Sequence, residues 1–203
     1  RPTGPGPIGG DIASVVYGIG ERLRIPALTS RYSSVAVIGL FAMVHGIFAI
    51  AVMAAAAALA HQPLVFPSLG PTAFLLFYAP TGDEASPRNA IIGHGIGASV
   101  GYLSLVLFGL TDLGPALIEG VTLSRVGAAA LSLGLTSGLM VWLKVPHPPA
   151  AATTLIVSLG VLTSPRELMV LMVAVIVLVC QGYIINRVAG IDYPRWAPHG
   201  PPG

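Results

Sequence analysis

Charge is what this sequence has least of. Asp, Glu, Lys and Arg make up 9% of 203 residues, against about 25% in soluble domains. That leaves no room for a separate soluble domain, and a net charge of +2 is too small to point to nucleic acid. Cysteine is nearly missing as well. Cys180 alone builds neither a disulfide framework nor a cysteine-rich metal site, and in the last apolar run it is expected to pack. There is no His-Glu-x-x-His, no P-loop and no carboxylate pair inside the apolar runs. No enzyme activity, catalytic residue, cofactor or metal is therefore expected. Without a nucleotide site, a solute carried by this chain would be driven by an ion gradient or would follow its own gradient. No stretch before Arg31 has the continuous apolar core of a signal peptide. The first residue is Arg, which leaves the native N-terminus open.

What is present is apolar sequence, 54% of the chain, with a mean hydropathy of +0.83. Residues 1–10 are Pro/Gly-rich and expected to be disordered. Ile12, Val15, Val16, Ile19 and Leu23 then recur at helical spacing, which predicts a short amphipathic helix on the membrane surface. Residues 1–33 form this N-terminal tail. A first membrane helix is predicted over Ser34–Ala60, with an Ala-rich end suited to close packing. Residues 63–80 are apolar but interrupted by Pro67, Gly70 and Pro71, so helix is expected only from Pro71 to Ala79, too short to span. Ser86-Pro87 supplies an N-cap and a first-turn proline for a third helix, Asn89 to Leu110. Gly93, Gly97 and Gly101 on that helix, and Gly134 and Gly138 on a fourth (Val121–Leu143), step by four and allow close backbone approach. Ser164-Pro165-Arg166-Glu167 is a capping box opening the last helix, which runs to Val188. Residues 189–203 are expected to form a disordered C-terminal tail.

The chain is organised around Lys144-Val145-Pro146-His147-Pro148-Pro149-Ala150-Ala151-Ala152-Thr153-Thr154. Three prolines in four positions stop the fourth helix, and Pro149 suits the first position of a new one, predicted to reach Leu162. Broken backbone between membrane helices is tolerated where it is buried in protein or lines a cavity. A helix N-terminus there favours an anion; the alternative is a tight turn at the membrane surface. Pro71 and Pro149 lie 78 residues apart, and so do Ser86-Pro87-Arg88 and Ser164-Pro165-Arg166. The chain thus reads as two units, 34–110 and 121–188, each a long helix, a broken short one and a capped long one. With every segment crossing, the second unit is inverted. Eight of the ten Lys/Arg then fall on the side of both termini, which predicts cytoplasmic termini; re-entrant short helices would give seven to three.

His147-Pro148-Pro149, with Ser68-Leu69-Gly70-Pro71-Thr72-Ala73 and Ser86-Pro87-Arg88 upstream, resembles the HPP family of integral membrane proteins, from roughly Arg31 to Arg187. Family members in cyanobacteria and chloroplasts are described as nitrite transporters, so the resemblance implies transport and, as substrate, nitrite. The expected fold is an all-α membrane protein of six transmembrane segments in two inverted three-segment repeats, with segments two and five short and broken. The expected site is a small-anion site near the bilayer midplane. Its candidates are Ser68, Gly70, Pro71, Thr72, Ala73, His147, Pro148, Pro149, Ala150, Ala151, Thr153 and Thr154, with free N–H groups near Thr72, Ala73, Ala150 and Ala151. His45, His94 and His147 are candidates for proton relay or gating. Arg88 and Arg166 are expected as surface anchors. Expected partners are the bilayer and the anion; the glycine ladder at 93–101 serves packing either within one chain or with a second copy of the chain in a homo-oligomer. The expected location is a bacterial inner membrane. A membrane assembly or sensor subunit, or a neutral-solute channel, are the alternatives.

Overall fold

The computed structural model describes residues 33–198 together with Tyr17, Gly18, Gly20 and Arg22. The apolar residues of the expected N-terminal amphipathic helix lie outside the described residues. The elements are α1 (Ser34–Ala60), α2 (Leu69–Tyr78), a 3-10 turn (Asp83–Ala85), α3 (Pro87–Leu107), α4 (Ala116–Glu119), α5 (Leu123–Trp142), α6 (Pro149–Ser158) and α7 (Pro165–Val188). No strand occurs among the described residues. Helices α1, α3, α5 and α7 are long and apolar enough to cross a membrane. Each ten-residue helix, α2 and α6, rises about 15 Å, half a span.

Local chemistry sets most boundaries. Ser33 Oγ accepts from Ala36 N to start α1, and Ser86 Oγ accepts from Asn89 N to start α3 with Pro87 at its first position. The Ser164–Glu167 capping box opens α7 as expected. Helix α2 begins two residues earlier than expected. Pro71 sits inside its first turn, where a missing N–H loses no helical bond. Helix α6 stops at Ser158, four residues short of expectation. Gly160 turns left-handed at φ 81°, and the bonds Gly160 N to Val157 O and Val161 N to Ile156 O close the end.

Helix α3 is the axis of the fold. It lies along α6, with α5 against both; α7 packs on α3 and α2, and α1 on α2 and α7. The glycine ladder is the α6 track. A Cβ at Gly97 would stand 2.6 Å from Ala150 O, and one at Gly101 would stand 2.8 Å from Val157 Cβ. Gly134 on α5 has nothing within 4 Å, and Gly138 meets only Trp142 of its own helix, so this pair makes no close helix contact within the chain. The Ala-rich end of α1 is not packed either; Ala54, Ala55, Ala58 and Ala60 are exposed. Cys180, expected to pack, is on an exposed face of α7. Leu40, Met43, Ile47 and Phe48 of α1 present a broad apolar surface, as lipid requires of an integral membrane protein.

The two ends of the bundle are tied separately. At one end Ala116 N donates to Leu159 O at 2.9 Å, joining the 111–120 loop to the end of α6. At the other, Arg88 N donates to Trp196 O at 3.0 Å, and Tyr193 Oη donates to Ala85 O at 2.6 Å. The segment after α7, expected to be disordered, is thus a strap with Ile191 and Tyr193 buried. Residues 199–203 lie outside the described residues.

Candidate functional site

Four polar side chains from three parts of the chain meet where α2 and α6 flank α3. Thr72 lies in the first turn of α2, His94 on α3 beside Gly93, His147 in the lead-in to α6, and Thr153 one turn into α6. All four have 0% exposure. The α6 track brings them together: a Cβ on Gly93 would touch His147 Cβ at 2.8 Å, so only glycine lets His147 sit there.

The partners fix the hydrogens. His147 Nδ1 is 2.7 Å from the Glu84 carbonyl, which can only accept, so His147 carries its hydrogen on Nδ1 and its Nε2 lone pair faces inward. His94 Nε2 lies 3.2 Å from that lone pair and 2.9 Å from Thr72 Oγ1, and it donates between them. His94 Nδ1 is then an acceptor, and Thr153 Oγ1 donates to it at 2.7 Å. Thr72 Oγ1 lies 3.2 Å from His147 Nε2 and donates back to Ser68 O at 3.1 Å. Both imidazoles are satisfied in their neutral forms. Ser68 Oγ and Thr154 Oγ1, beside the cluster in sequence, are buried with no partner among the described residues.

Other expected donors are not free. Ala150 N donates to His147 O at 2.9 Å and Ala151 N to Pro148 O at 3.0 Å, because Pro148 is already α-helical. With α2 starting at Leu69, the N–H groups of Thr72 and Ala73 fall within the helical ladder. The donors at the crossing are therefore side chains. Gly70 is exposed. His45 is elsewhere: its Nδ1 bonds Phe41 O of its own helix at 2.8 Å, and its ring lies 4.2 Å from that of Phe41. It borders a lateral apolar cleft with Val44, Phe48 and Ile184. Arg166 is exposed and Arg88 partly so, as expected of surface anchors. Gly97-Ala98-Ser99-Val100-Gly101 has the spacing of a nucleophile elbow. It lies in the interior of α3 with Ser99 exposed, whereas that chemistry needs a strand-to-helix turn.

Three residues carry structure that sequence reading missed. Arg125, 2% exposed, donates to Ser158 O at 3.3 Å, Leu113 O at 3.3 Å and Gly114 O at 2.8 Å. It caps the C-terminus of α6, where a cation is favoured. Asn186 Nδ2 donates to Leu76 O at 2.9 Å and ties α7 to α2. Tyr193 holds the 3-10 turn; burial raises its pKa, so the phenol remains a donor. Each is a lone polar residue near a helix end or in a tail, with no motif to mark it.

Comparison with known proteins places the chain among membrane proteins. A transmembrane protein of Dictyostelium discoideum is 31% identical over 102 residues, 50% of this chain and 32% of the relative, so the match covers about a third of that protein's length. No solved structure matches. The family described as HPP, transmembrane region, matches residues 29–194, nearly all of the described bundle and the strap. The chain is an integral membrane protein that belongs to the HPP transmembrane family.

Proposed function

We propose that this protein passes a small inorganic anion across the membrane, with His94, His147, Thr72 and Thr153 as its polar contacts. The observation that carries the reading is the buried crossing of these four side chains between two half-length helices. Buried polar and ionisable groups inside a membrane protein are costly and mark substrate or proton paths. Hydroxyls of Ser68 and Thr154 add unspent hydrogen-bonding capacity. Nitrite is the substrate the family resemblance suggests.

Two features support six crossings in two inverted repeats. Exchanging α1, α2 and α3 with α5, α6 and α7 turns the set of packed helix pairs into itself. The end contacts also favour crossing over re-entry. Re-entrant α2 and α6 would put Ala85 and Tyr193 on opposite faces, and Ala116 and Leu159 likewise, yet both pairs of residues are hydrogen-bonded. The Lys/Arg distribution supports cytoplasmic termini and is consistent with a bacterial inner membrane. A thiol placed at position 84 on a background lacking Cys180 should resist impermeant label from outside intact cells. Labelling there would overturn this topology.

A second reading, a membrane assembly or sensor subunit without transport, is favoured by one observation: the cluster is closed and bonds within itself. Flux into liposomes separates the two. Nitrite influx above that of empty liposomes, with smaller influx of a neutral solute of similar size, supports anion passage. Equal neutral-solute influx would indicate a channel for neutral solutes, and no influx of either would favour the assembly subunit.

A further inference from the structure

The carbonyls of the 83–85 turn are each held by a different part of the chain. Asp83 O accepts from Ser86 Oγ at 2.8 Å and Asn89 Nδ2 at 2.9 Å. Glu84 O accepts from His147 Nδ1 at 2.7 Å. Ala85 O accepts from Tyr193 Oη at 2.6 Å. The strap bearing Tyr193 is fastened again by Arg88 N to Trp196 O at 3.0 Å. The peptide unit next to the one His147 contacts is thus clamped by a residue more than a hundred positions away.

We infer that Tyr193 is a positioning residue for His147: by pinning Ala85 O it orients the Glu84 carbonyl, and that carbonyl keeps the His147 hydrogen on Nδ1. The geometry leaves little slack. The Glu84 and Ala85 carbonyls belong to consecutive residues of a three-residue 3-10 turn, so rotating one peptide plane tilts the next. Tyr193 is fully buried, and among the described residues its hydroxyl makes a single bond, to this turn. Ile191 and Tyr193 both pack in the apolar core, and of the two it is Tyr193 that also bonds a turn carbonyl. The consequence for the site is direct. With hydrogen on Nδ1, His147 presents a lone pair to His94 and Thr72; with hydrogen on Nε2, it presents a donor. The C-terminal strap therefore selects which face the cluster offers a solute. This inference rests on the reading of His147 as a site residue.

The test is the ¹⁵N tautomer signature of His147 in purified, histidine-labelled protein, assigned by its loss in His147→Gln. The unaltered protein should show one neutral tautomer with hydrogen on Nδ1; a mixture, or hydrogen on Nε2, overturns the inference without any further variant. Tyr193→Phe keeps the ring and removes one hydroxyl. It should give two tautomers, and 4-aminophenylalanine at 193, which restores a donor, should return the single form. Asn186→Leu loosens α7 from α2 without touching the turn and should leave the single form intact. An unchanged signature in folded Tyr193→Phe overturns the inference, and so does an equal mixture in Asn186→Leu. The spectrum is recorded on the resting protein, so the result does not depend on anion flux.

Discussion

Helices α2 and α6 have the same length and meet the same imidazole, yet they are held in different ways. Helix α6 is laid backbone to backbone on α3: Ala150 O and Thr154 O lie within 2.6 Å and 2.9 Å of the places where Gly97 and Gly101 would carry a Cβ. Helix α2 is held by side chains, with Leu69, Leu76 and Phe77 in the core and the Asn186 bond at Leu76 O. Backbone contact fixes register to fractions of an ångström, whereas side-chain packing adapts by repacking. The difference assigns the rigid half of the crossing to α6, which carries Thr153 and the lead-in with His147. The adjustable half is α2, which carries Thr72.

The sharpest break of this comparison is at Gly97. Gly97→Leu drives a side chain into Ala150 O, a backbone atom that cannot step aside, and should abolish the monodisperse folded protein in size-exclusion chromatography. Overpacking by one or two methylenes already costs about 1–3 kcal/mol. The matched change on α2, Gly70→Ala, meets nothing within 4 Å. It should leave the protein folded and slightly stabilised, since Ala is better than Gly in a helix by about 0.5–1 kcal/mol. If both fold equally well, the glycine track does not hold α6.

Next come the hydroxyls. Thr153→Val removes the single donor to His94 Nδ1 and leaves a buried acceptor unsatisfied, at a cost of about 1–3 kcal/mol. Thr72→Val removes a hydroxyl whose place His147 Nε2 can take as acceptor for His94, so its cost is about 0.5–1.5 kcal/mol. Thermal unfolding in detergent should therefore rank Thr153→Val below Thr72→Val. The reverse order would mean that α2, not α6, carries the rigid side of the cluster.

The smallest effect belongs to the histidine outside the crossing. His45 bonds a carbonyl of its own helix, and its ring lies tilted against that of Phe41. His45→Phe keeps the ring contact and should change stability by no more than about 0.5 kcal/mol, with anion flux unaltered. A large loss of flux would place a second site in the α1–α7 cleft.

Much of this could be read from residue types alone, and the reasons are local. Ser86 and Ser164 declare helix starts because a capping hydroxyl acts within three residues. Pro149 declares the start of α6 because φ near −65° and a missing N–H suit that position. The glycine ladder announces a close backbone neighbour, though not which one. The free N–H groups at the crossing were misread because two residues shift the count: α2 begins at Leu69 rather than Pro71, and Pro148 is already helical. The joining of Thr72 to His94 and Thr153 was beyond sequence reading. It depends on which helix fills the ladder and in what register, and no single residue encodes that. Arg125 and Tyr193 were missed for the same reason, since their partners are main-chain carbonyls that any residue supplies.

The central claim is that the buried His–Thr crossing is the path of a small anion. Its most direct test is nitrite influx into liposomes holding equal amounts of folded unaltered protein and His94→Gln. Gln replaces the imidazole that joins all three other members while keeping a polar side chain of similar reach. The account predicts influx in the unaltered protein and a loss of at least about tenfold in His94→Gln, the factor that about 1.4 kcal/mol at the crossing represents. Undiminished influx through folded His94→Gln would contradict it.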